Sequence, residues 1–401
     1  MGKINSLLNK NKDVLFYTAI NYVDKALFFI LPLLVLELLN DKSTYNTIEY
    51  IYSIASIIAT FVDGGGRSYY FFAYRNTENR RGLVIRKFRL FLKIVGLLLI
   101  ILSVWAGVSK LLGYEWLLFS YIGVRAIYIY VSSFLNYHFR LQDKPSKIFK
   151  VTLSVSLASI LIVLIWYFLG AQLPLYMYFL PMFLMEIAII VNQKNFKPNE
   201  HDYDYVKKAF KFAWPLLINV ILIALVNNYG KIYSYQNLSE QEMFELSFTL
   251  RIAFVIHIAH SSVYGFLAKK IYVNDSMSAM VSVIKQYSLF LFIAFAGAAV
   301  LLYGYIMIIN DGQMFEIAWV WIFVYTLLWC YLGFFEGFLS KYNKNDKILI
   351  FTLISSAFFG AYLLYKNTGI QINDIILSMN IFIIVNLSLV LFYVKKQKIF
   401  K

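Results

Sequence analysis

Roughly twelve apolar stretches, each long enough to cross a bilayer, fill the 401-residue chain almost from end to end. They lie near 14–39, 46–70, 88–109, 115–139, 148–169, 174–193, 212–229, 243–268, 286–309, 314–340, 348–365 and 371–394. A helix needs about 20 apolar residues to cross a hydrocarbon core ~30 Å thick. In that solvent the backbone must satisfy its own hydrogen bonds, so runs of this length become helices. Hydrophobic residues make up 60% of the chain and charged residues only 15%, and the longest connections, near 194–211 and 269–285, leave no room for a folded soluble domain. The pattern predicts an all-α polytopic membrane protein of about twelve transmembrane helices.

Positive charge sets the expected orientation. With the N-terminus inside, the inner segments hold 30 Lys or Arg, whereas the outer loops hold only Lys42, Lys110, Lys231 and Lys366. The positive-inside rule then places both termini in the cytoplasm. The same asymmetry accounts for the net charge of +15, so no nucleic-acid partner is expected. The first stretch is too long for a cleaved signal peptide and carries Asp24 and Lys25. A single cysteine, Cys330, rules out an intrachain disulfide and a thiolate metal cluster.

Six stretches precede residue 200 and six follow it, which predicts two six-helix halves, 1–200 and 201–401. The polar segment KNFKPNEHDYDYVKKAFK at 194–211 is the natural boundary. FFAYRN at 71–76 echoes FLAKKI at 266–271, each closing a long inward-running helix. Halves with an even number of spans share one orientation, so a pseudo-twofold axis would run along the membrane normal.

Three cations lie near mid-span: Lys25, Arg125 and Arg251. A cation there costs at least ~2.5–3.5 kcal/mol on insertion scales, and it normally faces a cavity or a partner. Their neighbours at helical spacing are polar. Tyr121, Arg125, Tyr128, Ser132 and Asn136 share one face; Thr18, Asn21, Tyr22 and Lys25 share another below Pro32. Glu49, Ser53, Ser56, Thr60, Asp63 and Arg67 align in the second stretch, provided its helix continues through Gly64-Gly65-Gly66, and Ser247, Arg251 and Ser262 align in the eighth. Ser and Thr in such stripes are equally expected as packing glue between helices. A stripe centred on a mid-depth cation points instead to a water-filled interior that receives an anion, with Arg offering a fork to phosphate oxygens.

Buried acids compete with that reading. Asp24 and Glu186 are placed either to neutralise a cation or to bind a coupling H⁺ or Na⁺, and Asp63 is a third, shallower candidate for ion coupling. His257 and His260 share a helix face without further ligands in sequence, so no metal is expected. No GxxxxGK[ST], HExxH or GxSxG signature is present, no catalytic residue is assigned, and no cofactor is expected beyond an ion gradient.

YTAINYVDKALFFILPLLVLELL at 17–39 resembles the first helix of the polysaccharide or O-antigen (Wzx-type) flippases, with Asn21, Lys25 and Pro32 in the matching places. FAWPLLINVILIALVNNYGKIYSYQNLSEQEMFELSFTLRIAF at 212–254 resembles their seventh helix, outer turn and eighth helix. The usual Tyr-Gly after the outer turn is replaced by Ile48-Glu49-Tyr50 and Met243-Phe244-Glu245. The resemblance implies a MATE-like fold in a bacterial cytoplasmic (inner) membrane. It implies a flippase moving undecaprenyl-diphosphate-linked oligosaccharide units to the outer leaflet for O-antigen or capsule synthesis. Lys25, Arg125 and Arg251 would accompany the diphosphate, and Tyr121 and Tyr128 would stack on sugars. The implied partners are the lipid-linked oligosaccharide, membrane lipids, and polymerase and chain-length proteins of the same pathway. A MATE-like cation-coupled exporter of small molecules and a membrane enzyme of envelope polysaccharide assembly remain as alternatives.

Overall fold

The computed structural model describes residues 12–63, 115–141, 146–191, 202–273, 277–308, 314–341, 344–366 and 369–396. Among these residues there are eleven α-helices and no strand. They are α1 Lys12–Leu39, α2 Lys42–Asp63, α3 Glu115–Leu141, α4 Ser146–Leu169, α5 Leu175–Val191, α6 Asp202–Asn237, α7 Glu240–Val273, α8 Met277–Ile308, α9 Trp319–Lys341, α10 Asn345–Lys366 and α11 Ile372–Lys396. Each overlaps one apolar stretch. The stretch at 88–109, the Gly64-Gly65-Gly66 run and FFAYRN at 71–76 lie outside the described residues.

Seven of the described helices are long and apolar enough to cross a membrane: α4, α6, α7, α8, α9, α10 and α11. The chain is thus an all-helical membrane protein, with seven qualifying spans among the described residues against the twelve expected. The other four differ for identifiable reasons. Side chains of α1 are described only from Val23 onward, and α5 has 17 residues. In α2 a polar stripe around Glu49 lowers the hydropathy, and the side chains of α3 are described without a break only over 118–133.

Side-chain distribution is the reverse of that in a soluble domain. In α4, Leu157, Leu161, Ile165 and Phe168 are exposed along one face, while Thr152, Ser156 and Ser159 are buried on the other. In α11, Leu377, Ile384 and Leu391 face out, and Ser378, Asn380 and Asn386 face in. Polar groups turned inward and apolar groups outward are what a hydrocarbon solvent selects.

Helix ends are set by local chemistry. Asn40 takes a left-handed φ of 50° after α1. Asp41 then caps α2 by accepting from the Thr44 backbone N–H at 2.8 Å and the Thr44 hydroxyl at 2.7 Å. Gly170, at φ 61°, follows the end of α4. Ser239 and Glu242 form a reciprocal capping box at the start of α7, at 3.0 and 3.2 Å. Several helices outrun their apolar stretches. α6 begins at Asp202, inside the polar 194–211 segment, and α7 and α8 together occupy most of 269–285. Lys231, expected in an outer loop, lies within α6.

Two compact units are present, Met1–Leu217 and Ile218–Lys401, with the boundary inside α6. In the first, α1 packs on α4 and α2, α2 on α3, and α5 on both α3 and α4. Its core contains Leu31, Ile51, Val131, Val155, Phe179 and Met182. In the second, α7 packs on α8 and α9, and α11 packs on α9 and α10. Ile375, Met379, Phe382 and Val390 of α11 meet Tyr325 and Leu332 of α9 and Phe359 of α10 in its core.

Candidate functional site

Arg125 defines the site in the first unit. Its guanidinium lies over the Tyr52 ring at 3.9 Å, with Phe28 at 5.0 Å and Tyr128 at 5.3 Å. One terminal N–H reaches the Met182 sulfur at 3.8 Å, a weak acceptor. The buried Nε has no hydrogen-bond partner among the described residues. No described carboxylate lies within ion-pair distance of it. The charge is therefore held by ring quadrupoles from α1, α2 and α3 rather than by an opposite charge. A guanidinium carries five donors and no acceptor, so most of its hydrogen-bonding capacity remains for a ligand.

The surroundings of this cage are aromatic and polar. Tyr52 and Tyr178 share a hydroxyl–hydroxyl bond of 2.9 Å, and Tyr121 stacks on Phe179 at 5.4 Å. Tyr128 is buried, and its hydroxyl has no hydrogen-bond partner among the described residues. In this conformation Tyr121 and Tyr128 both face protein rings, Tyr128 meeting Phe28 at 5.3 Å. The hydroxyls of Ser53, Ser56 and Thr60 bond carbonyls one turn back in α2 at 2.8 Å each. Much of that polar stripe is thus satisfied within its own helix.

Two of the three candidate acids, Asp24 and Glu186, lie near the cage. Asp24, Glu186 and Arg125 all fall within electrostatic range of Tyr128. Thr152 hydrogen-bonds Asp24, which also feels the charge of adjacent Lys25. Glu186 on α5 is 3% exposed, and its Oε1 has no hydrogen-bond partner among the described residues. Lys25 is half-buried in α1. Asn21 belongs to α1 and Asp63 ends α2, but the side chains of both lie outside the described residues, as does that of Asn136.

Arg251 is half-buried in α7, in the second unit. The second unit also holds polar groups that serve its architecture. Buried Glu245 accepts the backbone N–H groups of Glu316 at 2.9 Å and Ile317 at 3.3 Å, together with the Gln241 amide at 2.8 Å. This holds the segment before α9 in a non-helical turn, where the sequence pattern predicts helix from 314. Asn386 donates to Thr352 at 3.1 Å between α11 and α10. Among the described residues no group of three side chains is arranged to hold a metal.

Phe28, Tyr52 and Met182 escape the sequence reading because it follows polar spacing, and each of them is an apolar or aromatic residue on a different helix. The nearest signal is Phe28, one turn beyond Lys25. Neither a protein-family model nor a curated protein matches the chain.

Proposed function

We propose that the chain is a flippase for an anionic lipid-linked saccharide, carrying undecaprenyl-diphosphate-linked oligosaccharide from the cytoplasmic to the outer leaflet. It does so as a twelve-helix, MATE-like carrier in two halves, 1–200 and 201–401, with both termini cytoplasmic. The observation that carries this reading is Arg125, half-buried among Tyr52, Phe28 and Tyr128 with its buried Nε unused and no carboxylate in contact among the described residues. A diphosphate would accept from the guanidinium and supply the missing counter-charge. Lys25 and Arg251 would add charge along the path. The diphosphate and sugars would traverse a central cavity while the lipid tail stays in the bilayer. Lipid-linked oligosaccharide, membrane lipids and the enzymes that polymerise exported units are its partners, with an H⁺ or Na⁺ gradient as drive and no chemistry performed on the cargo.

A second reading, a cation-coupled exporter of small molecules, is favoured by Glu186, a buried acid with no ion pair among the described residues. Purified protein in liposomes separates the two. A fluorescent saccharide diphosphate lipid on the inner leaflet should become accessible to an external quencher with the native chain and not with Arg125→Ala. Efflux of an organic cation dependent on Glu186, without lipid translocation, would establish the second reading instead. Unaltered lipid translocation by Arg125→Ala would remove the anion-binding mechanism.

A further inference from the structure

We propose that Tyr178 on α5 is a positioning residue for the anion site, acting through Tyr52 to hold the Arg125 guanidinium in a fixed plane. The inference rests on the reading of Arg125 as the group that takes the diphosphate, and it deepens that reading by naming what orients the donor. Arg125 projects from α3 on a long, flexible stem. A guanidinium is a planar fork, so it matches phosphate oxygens only when its plane is set, and setting it beforehand lowers the entropic cost of binding.

Two contacts restrict it. The guanidinium carbon lies over the Tyr52 ring of α2 at 3.9 Å, and Nη1 donates to the Met182 sulfur of α5 at 3.8 Å. Tyr52 is in turn held from α5. Its hydroxyl shares the 2.9 Å bond with that of Tyr178, and its ring meets Phe179 edge-on at 6.4 Å. Tyr178 is fully buried and packs against Phe179 at 5.1 Å, so the hydroxyl that grips Tyr52 is fixed in the core of the unit. Tyr178, Phe179 and Met182 fall within roughly 100° of arc on α5. One face of this helix therefore holds the guanidinium at two points, directly through a sulfur and indirectly through a ring.

Two tyrosines sharing a bond would also serve packing alone. Positioning is singled out by where the held ring sits. Tyr52 makes the shortest of the three ring contacts with the cation, the others being Phe28 at 5.0 Å and Tyr128 at 5.3 Å. Tyr178 reaches that ring only through its hydroxyl, so removing one oxygen frees the ring while leaving every aromatic surface in place.

The probe is inorganic pyrophosphate, which carries the diphosphate chemistry without lipid or sugar. Its binding to the full chain in nanodiscs is followed by ³¹P NMR, beside thermal unfolding of the same samples. Tyr178→Phe and Tyr52→Phe should each weaken pyrophosphate binding about three- to tenfold, the scale of one hydrogen bond. The double variant should be no weaker than either single one, because all three lose the same bond. In an Arg125→Lys background there is no fork to orient, and Tyr178→Phe should then change the affinity less than about twofold. If Tyr178→Phe does not fold, Tyr52→Phe removes the same bond from the other side. Reduced stability with unchanged pyrophosphate affinity would reveal packing alone and overturn the proposal. Additive losses from the two hydroxyls, or a native chain that binds no pyrophosphate, would overturn it equally. Tyr178-dependent binding in a chain that moves no lipid leaves the proposal standing and counts only against the flippase reading. Lipid translocation by a chain whose pyrophosphate affinity ignores Tyr178 does the reverse.

Discussion

Replacing Arg125 by methionine tests whether its charge is held for function or for stability. A mid-bilayer arginine costs about 2.5–3.5 kcal/mol on insertion scales. Against this stand three ring contacts at 3.9, 5.0 and 5.3 Å. Each desolvated cation–π contact contributes ~0.5–2 kcal/mol, so the nearest ring at the high end and the others lower together give about 2–4 kcal/mol. Cost and gain nearly cancel, and Arg125→Met, of similar length and without charge, should alter stability by only about 1 kcal/mol. Arg125→Ala would leave a void between Tyr52, Phe28 and Tyr128 and cost about 2–4 kcal/mol. Both variants should lose lipid translocation, whereas Arg125→Lys keeps the charge without the fork and should retain part of it. The assays are thermal unfolding in detergent and translocation in liposomes, read with membrane protein level. Full translocation by a well-folded Arg125→Met would refute the anion role. A loss of stability in Arg125→Met equal to that in Arg125→Ala would refute the near-cancellation.

Four further outcomes are expected. Glu245→Ala should lower stability by roughly 2–4 kcal/mol in thermal melts, because two backbone N–H groups at 316 and 317 lose a charged acceptor; Glu316→Ala, exposed on its side-chain surface, should not. A double-mutant cycle of Asn386→Ala with Thr352→Val should give a coupling of about 0.6 kcal/mol, typical of hydrogen bonds between membrane helices, and additive losses would show that the bond contributes nothing. Glu186→Gln should leave the amount of folded protein unchanged, since no described cation pairs with it, while removing gradient dependence from transport; full gradient dependence would take it out of the coupling. Cysteines introduced at positions 41, 172 and 369 should label from outside the cell without removing buried Cys330, and inward labelling of two of them would overturn the orientation.

Much of the architecture was legible in the residues themselves. Apolar length marks every described helix, because only intrahelical bonding satisfies backbone in hydrocarbon. The caps at Asp41 and at Ser239 with Glu242 are equally local, since three residues of spacing suffice to build them. Helix ends without such a cap were less visible. α6 and α7 continue as helix into the polar segments at 202–211 and 269–273, where an apolar window sees nothing to extend.

Periodicity says which face of a helix a side chain occupies, and on that basis Arg125 stood out beside Tyr128 before any fold was known. It does not say what the face meets. Only tertiary packing brings Phe28, Tyr52 and Met182 from α1, α2 and α5 around that guanidinium. The same holds for Glu245 and the backbone 71 residues away, and for His260, Tyr287 and Cys330 on three helices. In a membrane every helix is apolar on its outer face, so hydrophobicity cannot choose the neighbour. The choice falls to shape and to a few buried polar groups whose partners are distant in sequence.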